Sequence, residues 1–207
     1  MESFKTEQEA FWAGDFGNEY IERNKNRQLV ASNIMIFAKM LEKAHNVESL
    51  IEFGSNIGLN LHALHHLLPD TQLSAIEINP KAAAILKESG FVTVYNTSIL
   101  DFVPDAQRTL TFTKGVLIHI NPDVLPYVYD KLYATSARYI LMCEYYDPNP
   151  VEIAYRGHEG KLFKRDFAGE FMARFPDVKL VDYGFFYHND PRHDQEDMNW
   201  FLMEKKN

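Results

Sequence analysis

The sequence predicts one α/β domain on a doubly wound, mostly parallel sheet. Three observations predict it. Between Ser49 and Glu144, short apolar strand signals alternate with helical segments, the rhythm of repeated βαβ units. The first of these strands, Leu50-Ile51-Glu52-Phe53, runs directly into the glycine turn Gly54-Ser55-Asn56-Ile57-Gly58, and the strand after the next helix ends in an acid at Glu77. The last two strand signals follow one another with no helix between them, which predicts an antiparallel edge and brings the sheet to seven strands.

The elements follow in order. Residues from about Thr6 to Ala44 read mostly as helix and form an N-terminal cap over residues 1–45. Asp15 or Asn18 is a candidate cap for a segment whose Leu29, Val30, Ile34, Phe37 and Leu41 fall near one face. Ser49 to Phe53 is a short buried strand, and Ile57 to Leu68 a helix closed by Pro69-Asp70. Gln72 to Ile78 is the second strand. Pro80 then opens a helix at its first turn, and Gly90 closes it. Phe91 to Tyr95 is the third strand and Leu110 to Ile118 the fourth, with Pro122-Asp123 starting the next helix. Arg138 to Glu144 is the fifth strand. Residues 146–165 form an insert on the substrate side, loop-like from Tyr146 to Lys164 and rich in Pro, Gly, His and charge. Asp166 to Phe175 is a helix closed by Pro176. Val178 to His188 and Met198 to Lys205 are the last two strands.

A length of 207 residues fits one such domain with a modest extension, and 46% hydrophobic residues supply its core. The net charge of -8 lacks the basic character of a nucleic-acid binder. The single cysteine, Cys143, lies in the apolar run Tyr139-Ile140-Leu141-Met142 and reads as a buried, inert thiol. The start, Met1-Glu2-Ser3-Phe4-Lys5, has no apolar signal region, and no apolar run approaches the roughly 18 residues of a membrane span. The expectation is a cytoplasmic protein with a small-molecule substrate and no membrane partner. The oligomeric state is left open.

The glycine turn departs from the dinucleotide fingerprint. Asn56 stands at the middle glycine position, and Leu61 where a third glycine would fall. A pyrophosphate needs that close backbone approach. A nucleoside cofactor without one, such as S-adenosylmethionine, does not. Glu52 suits the cationic amino group of that cofactor, and Glu77, about 19 residues past Gly58, has the spacing of an acid that binds a ribose diol.

At this point the sequence resembles the class I S-adenosylmethionine-dependent methyltransferases. Glu52-Phe53-Gly54-Ser55-Asn56-Ile57-Gly58 looks like their first motif and Ile76-Glu77-Ile78-Asn79 like their second. Ser98-Ile99-Leu100-Asp101-Phe102 occupies the region that flanks adenine, and Thr113-Lys114-Gly115-Val116-Leu117-Ile118-His119-Ile120 looks like the fourth strand and its ending. A closer resemblance is to the pseudaminic acid biosynthesis-associated methylase family. It rests on residues 6–24, opening Thr6-Glu7-Gln8-Glu9-Ala10-Phe11-Trp12, on Leu162-Phe163-Lys164-Arg165-Asp166-Phe167-Ala168-Gly169-Glu170, and on Asp182-Tyr183-Gly184-Phe185. The resemblance implies a Rossmann-like fold and S-adenosyl-L-methionine as cofactor, with S-adenosylhomocysteine as product. It also implies cofactor contacts from Glu52, Gly54, Asn56, Gly58, Glu77, Ile78, Ser98, Ile99 and Lys114.

Trp12, Tyr20 and Arg27 are candidates for a lid that excludes water from the cofactor; the alternative is a helix packing its aromatics on the sheet. His119 stands where open α/β sheets place ligands and is a candidate general base, or a histidine that packs beside the cofactor. Glu144 and Tyr145 share that rim as catalytic candidates, with Glu144 open to a plain strand-end role. Tyr146, Arg156, Lys164 and Arg165 are candidates for binding an acidic substrate, set against a solvated loop. His62, His65 and His66 lack a carboxylate or cysteine partner nearby, so no metal site is expected. The function expected is methyl transfer to a small polar acceptor. A hydroxyl of an acidic sugar or nucleotide-sugar comes first; an amino-sugar or small amine, and a non-catalytic cofactor-binding module, are the alternatives.

Overall fold

The computed structural model describes residues 4–23 and 27–206. In chain order the elements are α1 (Glu7–Ala13), α2 (Asp15–Arg23), α3 (Arg27–Met40), β1 (Ser49–Phe53), α4 (Leu59–Leu67), β2 (Gln72–Glu77), α5 (Pro80–Lys87), β3 (Val92–Asn96) and β4 (Arg108–Lys114). They continue with α6 (Leu125–Thr135), β5 (Ser136–Glu144), β6 (Val151–Tyr155), β7 (His158–Lys164), α7 (Phe167–Arg174), β8 (Val178–Phe186) and β9 (Met198–Lys205).

Seven strands form one sheet in the order β3-β2-β1-β4-β5-β9-β8. β1 to β5 pair in parallel, and β9 runs antiparallel to both of its neighbours. Alternation along the strands builds a core on each face. Leu50, Leu141 and Cys143 join Phe37, Leu61, Leu64 and Leu86 from α3, α4 and α5 on one face. Ile51, Phe53, Ile140 and Met142 join Val128, Leu132 and Phe171 from α6 and α7 on the other. β1 sits mid-sheet with Leu50 to Phe53 all buried, so its carboxyl end lies at the centre of the sheet's rim.

The helical N-terminal cap consists of three helices. Thr6 caps α1, accepting from the Glu9 amide while the Glu9 carboxylate accepts from the Thr6 amide, and the helix stops at Gly14. Asp15, expected as a cap, is instead the first residue of α2. A Cβ on Gly17 would lie 1.9 Å from the Trp12 carbonyl oxygen, so glycine there lets α2 fold tightly back on α1.

Two further expectations change. The fourth strand ends at Lys114 rather than Ile118, because Gly115 turns the chain with φ of 66° and Leu117–His119 form a 3-10 turn. The insert is an antiparallel hairpin, β6 paired with β7, rather than a loop. Its two-residue turn is Arg156-Gly157, both with positive φ, the requirement of a type I′ hairpin. Among the described residues, no helix is long and apolar enough to cross a membrane.

Candidate functional site

The turn after β1 places backbone at the rim. Gly54, Asn56 and Gly58 all take left-handed conformations, with φ of 77°, 49° and 80°. Asparagine tolerates that region better than most side chains, which explains how Asn56 serves where a glycine was expected. The Gly54 and Ser55 amides both donate to the Ile76 carbonyl, drawing the turn against β2. The Asn56 amide donates to Glu77 Oε2 at 2.6 Å, and the Asn79 amide to Glu77 Oε1 at 2.7 Å. Burial pushes the Glu77 carboxyl up to about 7 against these bonds.

A cavity of about 480 Å³ opens over these loops. Its floor is Gly54 to Ile57, Glu77 to Asn79, Ser98 to Leu100, Lys114 to Val116, and His119, all from the carboxyl ends of β1 to β4. That is the place where open α/β sheets bind ligands. The roof is Trp12, Gly17 and Tyr20 from the cap and Tyr155-Arg156 from the hairpin. Tyr145, Asn33, Met198 and the Asp194-Gln195-Glu196 segment close the remaining side.

The cap is fastened at both ends. Ser98 donates its hydroxyl to Glu9, and the Lys5 ammonium reaches Asp101. Lys161 of β7 pairs with Glu7 at 2.8 Å, and Gln8 donates to the Gly160 carbonyl. Trp12 meets Tyr20 and His119 at centroid distances of 5.2 and 4.7 Å. The cap, the hairpin and the β4 loop thus share one aromatic roof.

His119 lies under that roof. Its Nδ1 is 2.6 Å from the Lys161 carbonyl, which can only accept, so the proton sits on Nδ1 and Nε2 carries the lone pair. Burial lowers its pKa to about 4 and keeps the ring neutral.

Glu52 lies beneath the floor with no exposed surface. Its Oε1 accepts from Asn60 at 2.5 Å, while Oε2 has no partner among the described residues. Burial raises its pKa to about 8, opposed by Asn60 and by the nearby Lys114 charge. Asn60 bonds Asn33, and Asn33 bonds Gln195, so a polar chain runs from Glu52 across α3 to the β8–β9 connection. No sequence motif reports this chain, since its members come from four separate segments.

Of the expected site residues, Trp12, Tyr20, Gly54, Asn56, Glu77, Ile78, Ser98, Ile99, Lys114, His119, Tyr145 and Arg156 line the one cavity. Gly58 stands just behind it as the left-handed N-cap of α4. Arg27 opens α3, but its side chain lies outside the described residues. Glu144 does not line the cavity. Its carboxylate accepts from the Val116 and Leu117 amides and so holds the β4 loop in shape, with burial raising its pKa to about 7. Arg165 pairs with Glu170 at 2.8 Å, Lys164 lies over the Tyr145 ring, and Tyr146 packs near Phe201; none of the three lines the cavity. Missed residues that line it include Gln8, Glu9, Arg23, Asn33, Asn60, Asp194, Gln195 and Glu196. The Thr6-x-x-Glu9 capping signature was the available signal for Glu9.

Solved structures share this architecture. A 1,6-didemethyltoxoflavin-N1-methyltransferase from Burkholderia thailandensis, with 1,6-didemethyltoxoflavin and S-adenosylhomocysteine bound, superposes with a TM-score of 0.71 at 14% identity, covering 100% of this chain and 94% of that one. Magnesium protoporphyrin IX methyltransferase from Synechocystis, with S-adenosylmethionine bound, gives 0.68 at 8% identity over 99% and 100% of the two chains. The N-methyltransferase NodS from Bradyrhizobium japonicum, with S-adenosylhomocysteine, gives 0.65 at 12% identity over 93% and 100%. The chain therefore has the Rossmann-like fold of class I S-adenosylmethionine-dependent methyltransferases. No protein-family model and no curated protein sequence matches it.

Proposed function

We propose that this chain is a methyltransferase that binds S-adenosylmethionine and transfers its methyl group to a small polar acceptor. The observation that carries the reading is the juxtaposition of the left-handed turn at Gly54, Asn56 and Gly58 with Glu77 on the floor of one roofed cavity. The residues fit the cofactor. Glu77 keeps lone pairs for a ribose diol, and Ile78 and Ile99 offer apolar surface for a base.

When bound, the cofactor supplies a methyl carbon on a positive sulfur that leaves as a neutral thioether. The residues of this chain align and dry the site. Trp12, Tyr20 and Tyr155 exclude water, which keeps it from competing with the acceptor while positive charge moves off the sulfur. His119 Nε2 accepts a hydrogen bond from the acceptor and orients its lone pair in line. With a pKa of about 4 it is a weak base, which takes the proton only once methylation has made the acceptor oxygen strongly acidic and gives it to solvent when the site opens.

A hydroxyl of an acidic sugar or nucleotide-sugar is the first acceptor, following the resemblance to the pseudaminic acid-associated methylases. Arg156 is the hairpin cation that lines the cavity and is the group to meet an acidic acceptor. A second reading is an amine acceptor. It is favoured by Asp194 and Glu196, which line the same cavity without an ion-pair partner among the described residues. The test is methyl transfer from labelled S-adenosylmethionine to panels of acidic sugars, nucleotide-sugars, amino-sugars and amines. Label on the acidic sugars supports the first reading, and label on amines alone replaces it with the second. A protein that binds the cofactor but labels nothing supports a binding module.

A further inference from the structure

The outer edge of β8 is a surface that the proposed chemistry leaves unused. β8 ends the seven-stranded sheet, and among the described residues no strand pairs with its outer side. An edge strand presents a row of unpaired backbone donors and acceptors, which proteins commonly blunt with charge, proline or a bulge. The first half of β8 is blunted in this way, by Lys179 and by an irregularity between Leu180 and Asp182. The second half is regular and carries Tyr183-Gly184-Phe185, with Tyr187 just beyond. These three aromatics are 66%, 53% and 49% exposed. Tyr183 and Phe185, two apart on a regular strand, share one face, and Tyr183 stacks there on Phe201.

Charge is divided along the same edge. The carboxyl end of β8 runs into the connection to β9, where Asp190, Asp194, Glu196 and Asp197 stand against one arginine, Arg192. At the opposite end, Arg138, Lys179, Lys205 and Lys206 share a surface depression with one acid, Glu204. Asp177 acts on Lys205 from beside it. Glu204 is bonded to Arg138 at 2.6 Å, while Lys179 and Lys206 have no ion-pair partner among the described residues. The chain as a whole carries a net charge of -8, so a basic end is not a product of composition.

We propose that β8 is a dimer edge, along which two copies of this chain pair antiparallel about a two-fold axis at Gly184. The two sheets then run on as one. That register sets Tyr183 opposite the partner's Phe185, and Phe185 opposite the partner's Tyr183, as aromatic cross-strand pairs. The reversal of direction brings each acidic connection to the other copy's basic end, with Lys179 beside the partner's Asn189 and Asp190. A parallel pair would instead bring like charges together. Covering the half-exposed aromatics, Leu180 and the edge backbone of both copies removes on the order of 1,000 Å² from water, enough for a small specific interface. Asp194, Gln195 and Glu196 of the connection line the cavity, so the dimer also braces one of its walls.

The test is sedimentation equilibrium of the full chain at micromolar concentration. Wild type should sediment with twice the 24.0 kDa mass of the chain, and its dissociation constant should rise with salt. Phe185→Lys places a charge on the exposed edge and should give a monomer with an unchanged circular dichroism spectrum; Tyr183→Lys serves should that variant fail to fold. Lys179→Glu, which sets an acid against the partner's acidic connection, should weaken the dimer by at least about tenfold. A monomeric wild type overturns the proposal and leaves the edge to a different partner. A dimer that survives Phe185→Lys overturns it as well, because its interface then lies elsewhere. A dimer that Lys179→Glu leaves unweakened overturns the antiparallel direction.

Discussion

Replacing Glu52 with glutamine should make the unliganded protein more stable, and increasingly so as pH rises. Glu52 is fully buried, and burial moves its pKa from the ordinary 4.5 to about 8. In the unfolded chain the group ionises near its ordinary value, so between the two values folding must hold a proton that the unfolded state gives up. A raised folded pKa contributes stability that is fully present below about 4.5 and lost as pH rises through about 8. Each tenfold change in proton affinity is worth about 1.4 kcal/mol, which puts the loss near roughly 3 kcal/mol at pH 7 and ~5 kcal/mol above pH 8. Glutamine does not titrate and can still accept from Asn60, which donates to Glu52 Oε1 at 2.5 Å. Urea unfolding of both proteins across pH 4.5 to about 9 measures the difference. Glu144 also titrates upward through burial, but it does so in both proteins and cancels, while Glu77 enters the difference only through its charge, the smallest of the causes acting on Glu52. The stability difference should be small at the acid end and grow by several kcal/mol toward pH 8.5. A difference that stays constant with pH would refute the reasoning, because it would mean that Glu52 is not held protonated by the fold.

Other substitutions test the remaining parts. Gly54→Val should cost about 1–3 kcal/mol of stability and abolish S-adenosylhomocysteine binding by titration, since Gly54 has φ of 77° and a Cβ there would lie 2.8 Å from Val116. Arg156→Ala should raise the KM for an acidic acceptor, while Arg165→Ala, bound to Glu170, should leave KM alone and lower stability by at most about 1 kcal/mol. Equal KM effects from both would mean that the hairpin moves as a unit. Gly184→Ala should cost about 1–3 kcal/mol in thermal unfolding, because a Cβ would sit 2.7 Å from the Trp200 indole nitrogen; an unchanged Tm would show that the indole can move aside.

The parts of this protein that were legible in the sequence are those encoded by local pattern. The strand, glycine turn, helix and acid from Leu50 to Glu77 announce themselves because each needs a particular residue type at a particular spacing. The roof was less legible. The hairpin was missed although Arg156-Gly157 sits between two extended runs, because charge and proline nearby suggested a loop. Glu144 was read as a rim residue because it ends a strand, yet its carboxylate turns back onto the Val116 and Leu117 amides. Nothing in sequence spacing reports which way a terminal side chain folds. The chain from Glu52 through Asn60 and Asn33 to Gln195 joins residues more than a hundred positions apart, so only tertiary structure reveals it.

The central claim is that this rim holds S-adenosylmethionine. Titration of the purified chain with S-adenosylhomocysteine, and in parallel with NADH, tests it most directly. The account predicts one equivalent of S-adenosylhomocysteine bound per chain, no binding of NADH, and an affinity weakened by about 1–3 kcal/mol in Glu77→Ala through loss of charge-assisted bonds to the ribose. Binding of NADH without S-adenosylhomocysteine, or an unchanged affinity in a folded Glu77→Ala protein, would contradict it.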